Sequence, residues 1–240
     1  MKDKIIVITG STSGIGAKLG LHLLKLEANV IFNYCNDKKK ANEIKIQAEK
    51  INKHTCFFIC ADVSDECAVK KFVSEVTINI GIPDVLINNA GIACSQHIFG
   101  MNYNQWRDVF EVNTNGVFLC SKYFAKKMAK NKSGKILNVG SLVGNKGFSA
   151  NCNYSASKAA LIGLTRSLAY ELNTFNISVN LIYPPSVKTK LNSHNYECGD
   201  DKDLDKIKSY IDFMTFLCSN NFHSITGQIF CLNNKIWGGA

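Results

Sequence analysis

Arginine is nearly missing from this sequence: only Arg107 and Arg166 stand among its 28 Lys and Arg residues. The formal charge of +9 is therefore lysine, spread along the whole chain. A nucleic-acid site clusters both cations on one face and interleaves aromatics for stacking, whereas the only tight basic run here is Lys38-Lys39-Lys40. A dispersed, solvated lysine surface is the better reading, and no nucleic-acid partner is expected. Proline is scarce at 3. No Pro/Gly/Ser-rich linker, low-complexity run or internal repeat divides the chain, so one domain over 1–240 is expected. A hydrophobic content of 46% is enough to bury a full core. No apolar stretch approaches the roughly 18 residues of a membrane span, which excludes a membrane partner of that kind. The opening KIIVITG runs straight into a strand-like pattern and leaves no room for a targeting peptide. A cytoplasmic protein is expected, or one of an organelle matrix if the chain is a processed form.

The ten cysteines contain no C-x-x-C pair, which removes the common zinc spacing. Several lie in apolar runs such as CFFIC at 56–60, where they read as small buried hydrophobes of a reducing compartment rather than a disulfide framework. The five histidines, at 22, 54, 97, 194 and 223, are dispersed, and no metal site is expected.

What is present is an alternation. Short β-rich runs (KIIVIT, NVIFNY, CFFICA, DVLINN) are separated by helical patterns at 15–26, 38–51 and 66–78. Two long helical segments follow, at 104–129 and 152–173, with KILNVGS before the second and ISVNLIY after it. A last strand is expected at QIFCL. This order predicts an α/β fold: a Rossmann-type, doubly wound parallel sheet with helices on both faces, whose ligands bind at the carboxyl ends of the strands.

At the first of those ends stands TGSTSGIG, residues 9–16. Gly10, Ser11, Thr12, Ser13, Gly14, Ile15 and Gly16 leave a strand and open a helix, the context in which backbone N–H groups receive a pyrophosphate. Outside that context the same glycines would be an ordinary turn. The second strand ends NYCNDKKK, with Asn33 and Tyr34 where an NAD-binding protein carries an acid and three lysines just beyond. NADP is therefore favoured over NAD, the bland alternative being that the lysines are a solvated first turn of helix.

Tyr154 and Lys158 in NYSASK form one of three Tyr/Lys pairs at helical i,i+4 spacing, beside Tyr34/Lys38 and Tyr123/Lys127, so the spacing alone says little. The ordered set says more. TGSTSGIG at 9–16, ADV at 61–63, NNAG at 88–91, Asn113 in EVNTNG, Ser141 in NVGS and Tyr154 with Lys158 together resemble the short-chain dehydrogenase/reductase family over nearly the whole chain. Only the third Tyr/Lys pair follows a strand-terminal Ser at the family's spacing, which leaves the other two as surface coincidence. The chemistry follows from the groups. A carbonyl reduced by hydride needs a proton, and an ammonium one helical turn from a phenol should lower a pKa of about 10 toward neutrality. Ser141 can donate a hydrogen bond to the same oxygen.

The resemblance implies further roles. Lys158 also holds the nicotinamide ribose, and Asn113 holds a water that relays protons. Asp62 and Val63 line the adenine, with a loop-capping carboxylate as the plainer reading of Asp62. Asn89, Ala90 and Gly91 run along the ribose, although Asn88 and Asn89 could instead tie neighbouring strands. Val187 and Thr189 meet the nicotinamide amide or the phosphates. Tyr34 lies at the adenosine ribose, and a homotetramer built through the two long helices and the last strand is implied.

Within the family the resemblance is to the 3-oxoacyl-[acyl-carrier-protein] reductases, carried by the run from 134 to 172 and by ITGQ at 225–228. It implies NADPH-dependent reduction of a β-ketoacyl thioester, free or held on an acyl carrier protein, within fatty acid biosynthesis. Three features depart from the pattern: Pro184-Pro185 replaces Pro-Gly, the substrate lid expected over 186–226 is short and polar, and Tyr170 and Phe175 occupy positions of carrier-docking arginines. Lys126, Lys127, Lys130 and Lys132 could still attract an acidic carrier. A carbonyl or alcohol dehydrogenase with another substrate, and a weakly catalytic cofactor-binding subunit of a mixed tetramer, remain as alternatives.

Overall fold

The structure is a computed structural model and describes residues 1–185, 201–219 and 224–232. Seven strands form one sheet: β1 (Ile5–Ile8), β2 (Asn29–Tyr34), β3 (Cys56–Cys60), β4 (Val85–Asn88), β5 (Gly134–Val139), β6 (Ile177–Tyr183) and β7 (Ile229–Cys231). Their spatial order is β3-β2-β1-β4-β5-β6-β7, and every pairing is parallel. The chain thus winds outward from β1 in one direction and from β4 in the other, which opens a crevice between the carboxyl ends of those two neighbours.

Alternate side chains along each strand enter separate cores. Ile6, Ile8, Val30, Phe32, Val85 and Ile87 pack on one face with Leu19, Leu23 and Leu24 of α1 (Gly14–Lys25), and α2 (Lys38–Asn52) adds Ala48. Val7, Ile31, Leu86, Ile136 and Val179 pack on the other, against Phe72 of α3 (Glu66–Asn79), Phe124 further along the chain, and Ala169. Burial on both faces is why these strands read as nearly continuous apolar runs. The edge strand β3 is the exception: the thiol-bearing Cys60 at its end is exposed rather than buried as CFFIC led one to expect.

Two helical segments differ from expectation. The segment expected as one helix over 104–129 is α4 (Tyr103–Phe110), a π-helical turn (Glu111–Asn115) and α5 (Gly116–Met128). Hydrophobic periodicity passes through such a turn almost undisturbed, so the sequence hides it; π turns of this kind gather at functional sites. The expected lid over 186–226 is, from Asp201 to Cys218, helix α8 (the short α6, Val143–Lys146, and long α7, Cys152–Asn173, precede it). Tyr210, Ile211, Met214 and Leu217 of α8 are buried in the first core, so this helix covers the sheet. The rest of the expected lid at 186–200 lies outside the described residues.

Candidate active site

A cleft of about 870 Å³ runs across the carboxyl ends of the strands. Its floor begins at the glycine-rich turn. Gly10 has φ +58° and a Cβ there would stand 2.8 Å from Ala90 Cα, so only glycine lets the turn after β1 pass the loop after β4. Those loops are also bonded together. Thr9 Oγ1 accepts from the backbone N–H groups of Asn89 and Ala90, and Asn89 Nδ2 donates to the carbonyls of Thr9 and Gly10. Asn89 is therefore a tie between loops, and it lines the cleft as well.

The start of α1 fits an anionic group. Its N-cap, Ser13, makes no side-chain capping bond, and its first turn holds no acidic residue. Gly14 has φ +56° and open space where a Cβ would be. Thr12, Ser13, Gly14, Ile15 and Gly16 all line the cleft, so orphan helical N–H groups and the positive end of the helix dipole face a cavity large enough for a dinucleotide. Ser11 does not belong with them. It is fully buried, its hydroxyl donates to the Ile8 carbonyl and its N–H to that of Asn33, so it holds the turn from behind.

At the end of the cleft where adenosine is expected, the structure brings Tyr34, Asp62 and Val63 to the wall and adds Cys35, Asn36 and Asp37. Asn33 sits almost wholly inside: its Oδ1 accepts from Gly10 N–H at 3.2 Å and its Nδ2 donates to the Ala61 carbonyl at 3.0 Å, bracing the ends of three strands. Asp62 caps its loop, its carboxylate accepting from the Ser64 N–H and hydroxyl, and it also lines the cleft. The lysines are a correction. Lys38, Lys39 and Lys40 do not line the cleft; they form the first turn of α2, and Lys40 Nζ lies 2.7 Å from Oδ2 of the helix-capping Asp37. Asp37, which caps this helix by accepting from Lys40 N–H and also lines the cleft, is a residue that sequence reasoning passed over.

The groups expected to react gather where β5 ends. Ser141, Tyr154 and Lys158 line the cleft beside Ala90 and Gly91. Lys158 Nζ lies 6.0 Å from the Tyr154 ring centroid and donates to the Val139 carbonyl at 2.8 Å. Burial pushes this ammonium down to about 8. Burial likewise pushes the Tyr154 phenol up, against a pull downward from the Ser141 hydroxyl hydrogen-bonded to it. The expected lowering of the phenol by its lysine is thus overturned. At this separation, and with the lysine itself driven toward neutrality, desolvation wins and the phenol keeps its proton.

Asn113 is fully buried in the π turn and does not line the cleft. Its Oδ1 accepts from Ile92 N–H at 2.8 Å, while Nδ2 donates to the Ile92 carbonyl at 2.9 Å and to Ser157 Oγ at 3.1 Å. Its side chain clamps the loop after β4 to the turn of α7 that carries Tyr154 and Lys158. Asn153 does similar work one residue before Tyr154, donating to the carbonyls of Cys94 and Gln105. Sequence reasoning passed over Asn153, as it did Leu142, Val143, Lys146 and Phe148, which extend the wall beyond Ser141. Pro184 and Pro185 line the cleft too, so the departure from Pro-Gly lies inside the site. Val187 and Thr189 fall outside the described residues. Of the other Tyr/Lys pairs, Tyr123 is spent on the surface, its hydroxyl bonded to Glu66 under Lys70 and Lys122.

The parallel sheet with its switch point, and the cleft across its carboxyl ends, are those of an oxidoreductase of the short-chain dehydrogenase family, and the chain belongs to that family: the model described as short chain dehydrogenase matches residues 4–198. The chain is 32% identical over 243 residues to a 3-oxoacyl-[acyl-carrier-protein] reductase of Staphylococcus epidermidis, covering 98% of this chain and 99% of that protein. It is 33% identical over 242 residues to the protein of that name from Buchnera aphidicola subsp. Baizongia pistaciae, covering 98% and 97%. Among solved structures, a mutant of a Serratia marcescens short-chain dehydrogenase/reductase superimposes with a TM-score of 0.84 at 25% identity, covering 97% of each chain.

Proposed function

We propose that this protein reduces the keto group of a β-ketoacyl thioester to the 3-hydroxyacyl form with NADPH. The observation that carries the reading is the convergence of Ser141, Tyr154 and Lys158 on one cleft wall, next to a helix start with no capping side chain. A bound reduced nicotinamide supplies hydride to the carbonyl carbon. Ser141 donates a hydrogen bond to the carbonyl oxygen and orients it, and Tyr154 gives its proton to that oxygen as negative charge builds there. A phenol held protonated by burial suits this direction of reaction. Lys158 then faces the new phenolate with its ammonium, and Asn113 keeps both groups in register by clamping α7. Gly14, Ile15 and Gly16 would hold the pyrophosphate of the cofactor through their N–H groups, and Asp62 and Val63 would flank its adenine.

The thioester is supported by what the relatives at 32–33% identity are named for. A carrier-bound form of the substrate fits the exposed Lys126, Lys130 and Lys132 at the end of α5, whereas Tyr170 and Phe175 on and after α7 are exposed where docking arginines would stand. NADPH is supported only by the exposed Lys38 and Lys39, which do not line the cleft but follow its wall residue Asp37 directly in sequence. One observation favours NADH instead: the charged side chains that line the adenosine end are Asp37 and Asp62, both acidic. The homotetramer fits the aromatic surface of α4, α5 and α7, including Tyr103, Phe118 and Tyr170.

Steady-state reduction of acetoacetyl-CoA with NADPH and with NADH, beside small ketones and hydroxysteroids, tests the reading. The thioester should be the best substrate and NADPH the better donor. Tyr154→Phe should lower kcat/KM by at least ~10²-fold, the lower range for a missing general acid, with dinucleotide binding retained. Parent and variant reducing at equal rates would remove Tyr154 from the reaction.

A further inference from the structure

Beyond Ser141 the cleft continues along an apolar shelf for which the chemistry above has no use. Leu142, Val143 and Phe148 line it from the segment after β5, and Ile92 from the loop after β4. Phe148 is 70% exposed and Ile92 40% exposed, so neither side chain is packed away in the core. Large apolar side chains standing in water on a cleft wall mark a place where something apolar binds.

The shelf is held firmly. Gly144 lies so close to α7 that a Cβ would stand 2.8 Å from Ala159 N, and Gly147, with φ +73° and open space around it, turns the chain toward Phe148. Gly147 N–H donates to the Val143 carbonyl and Asn151 N–H to that of Phe148. Gln96 N–H donates to the Ala150 carbonyl at 2.8 Å, and Ser95 Oγ to Asn151 Oδ1 at 2.8 Å, so the loop after β4 and the segment after β5 form one wall. That bonded loop leads directly into Ile98 and Phe99, which are exposed as well.

Resting on the thioester reading above, we infer that Phe148, with Ile92, Leu142 and Val143, is the rail for the acyl chain, and that the enzyme selects medium-length 3-oxoacyl thioesters over acetoacetyl ones. The shelf is continuous with the wall carrying Ser141 and Tyr154, so a chain whose keto group is held there extends along it. Among the described residues no cation other than Lys146 lines that stretch, and a hydrocarbon tail asks for none. Burial of a CH₂ is worth about fourfold in binding when complete, and about twofold on a half-covered shelf. From a four-carbon to a ten-carbon acyl group, kcat/KM should therefore rise at least ~10-fold.

The experiment measures kcat/KM for acetoacetyl-, 3-oxohexanoyl-, 3-oxooctanoyl- and 3-oxodecanoyl-CoA in the parent, Phe148→Ser and Phe148→Leu. A rising series in the parent, flattened in Phe148→Ser and kept in Phe148→Leu, is the expected result. A parent that reduces acetoacetyl-CoA with no gain along the series overturns the rail and leaves the proposed reaction standing. A parent that reduces none of the four overturns both. If Phe148→Ser lowers Tm by more than a few degrees or changes the oligomeric state, Phe148 is a packing residue and the rail is wrong.

Discussion

With its pKa lowered from 10.5 to about 8 by burial, Lys158 holds a full positive charge only below that value, and two measurements follow. The rate constant kcat/KM for reduction should fall as pH rises through about 8, because the ammonium facing Tyr154 is lost. Stability moves the other way. Between about 8 and 10.5 the unfolded chain binds a proton that the folded chain resists, so the group costs stability in full below about pH 8 and the cost fades as pH rises toward 10.5. Lys158→Met removes that cost. Its Tm relative to the parent should be highest near pH 7 and decline toward pH 10, and a difference that does not change with pH would show that burial does not strain this ammonium. The glycines separate strain from crowding. Gly14→Ala meets only an unfavourable positive φ and should lose about 1 kcal/mol. Gly10→Ala adds a clash with the Ala90 backbone and should lose about 2–3 kcal/mol with dinucleotide binding weakened, read by chemical denaturation and titration.

At the scale of elements, the cleft depends on loops tied by side chains. Asn33 bonds Gly10 N–H and the Ala61 carbonyl from a fully buried position. Asn33→Leu leaves both groups unpaired and should cost about 2–4 kcal/mol, measured by urea unfolding, with a weakened affinity for dinucleotide. Helix starts offer a calibration far from the chemistry. Asp65 accepts from the N–H groups of Cys67 and Ala68 at the start of α3, so Asp65→Ala should cost about 1 kcal/mol and leave kcat unchanged. Most elements were legible because period and breakers agree along this chain; α7 was predicted residue for residue. Two were not. The π turn keeps the apolar stripe of its helix and changes only the backbone pairing, which no residue type announces. Helix α8 opens DKDLDK and reads as polar surface, yet its later turns bring Tyr210, Met214 and Leu217 into the core, and which polar segment lies against a sheet is decided by the strand order it has to cover.

At the scale of the whole molecule, the proposed tetramer leaves a mark on solution mass. Light scattering should give four times the chain mass, and Phe118→Asp on the outer face of α5 should shift the population toward smaller species while dinucleotide binding remains; a parent that runs as a monomer would refute the assembly. The charge of +9 belongs to this scale as well, since it sits on lysines distributed along the whole chain rather than in one run. Among the described residues no helix is long and apolar enough to cross a membrane.

By itself the sequence determined the strands, most of the helices between them and the parallel sheet, and it singled out Ser141, Tyr154 and Lys158, because hydrophobic period and ordered motifs are local properties that a linear string carries intact. Tertiary structure alone decided which of those residues face the cleft. It turned Ser11 and the side chain of Asn113 inward as braces, left Lys38, Lys39 and Lys40 off the wall, and stood Phe148 out in solvent beside Ser141. It also reversed the expected shift of the Tyr154 phenol, since spacing along a helix tells how near a charge lies but not how much water has been taken away from it.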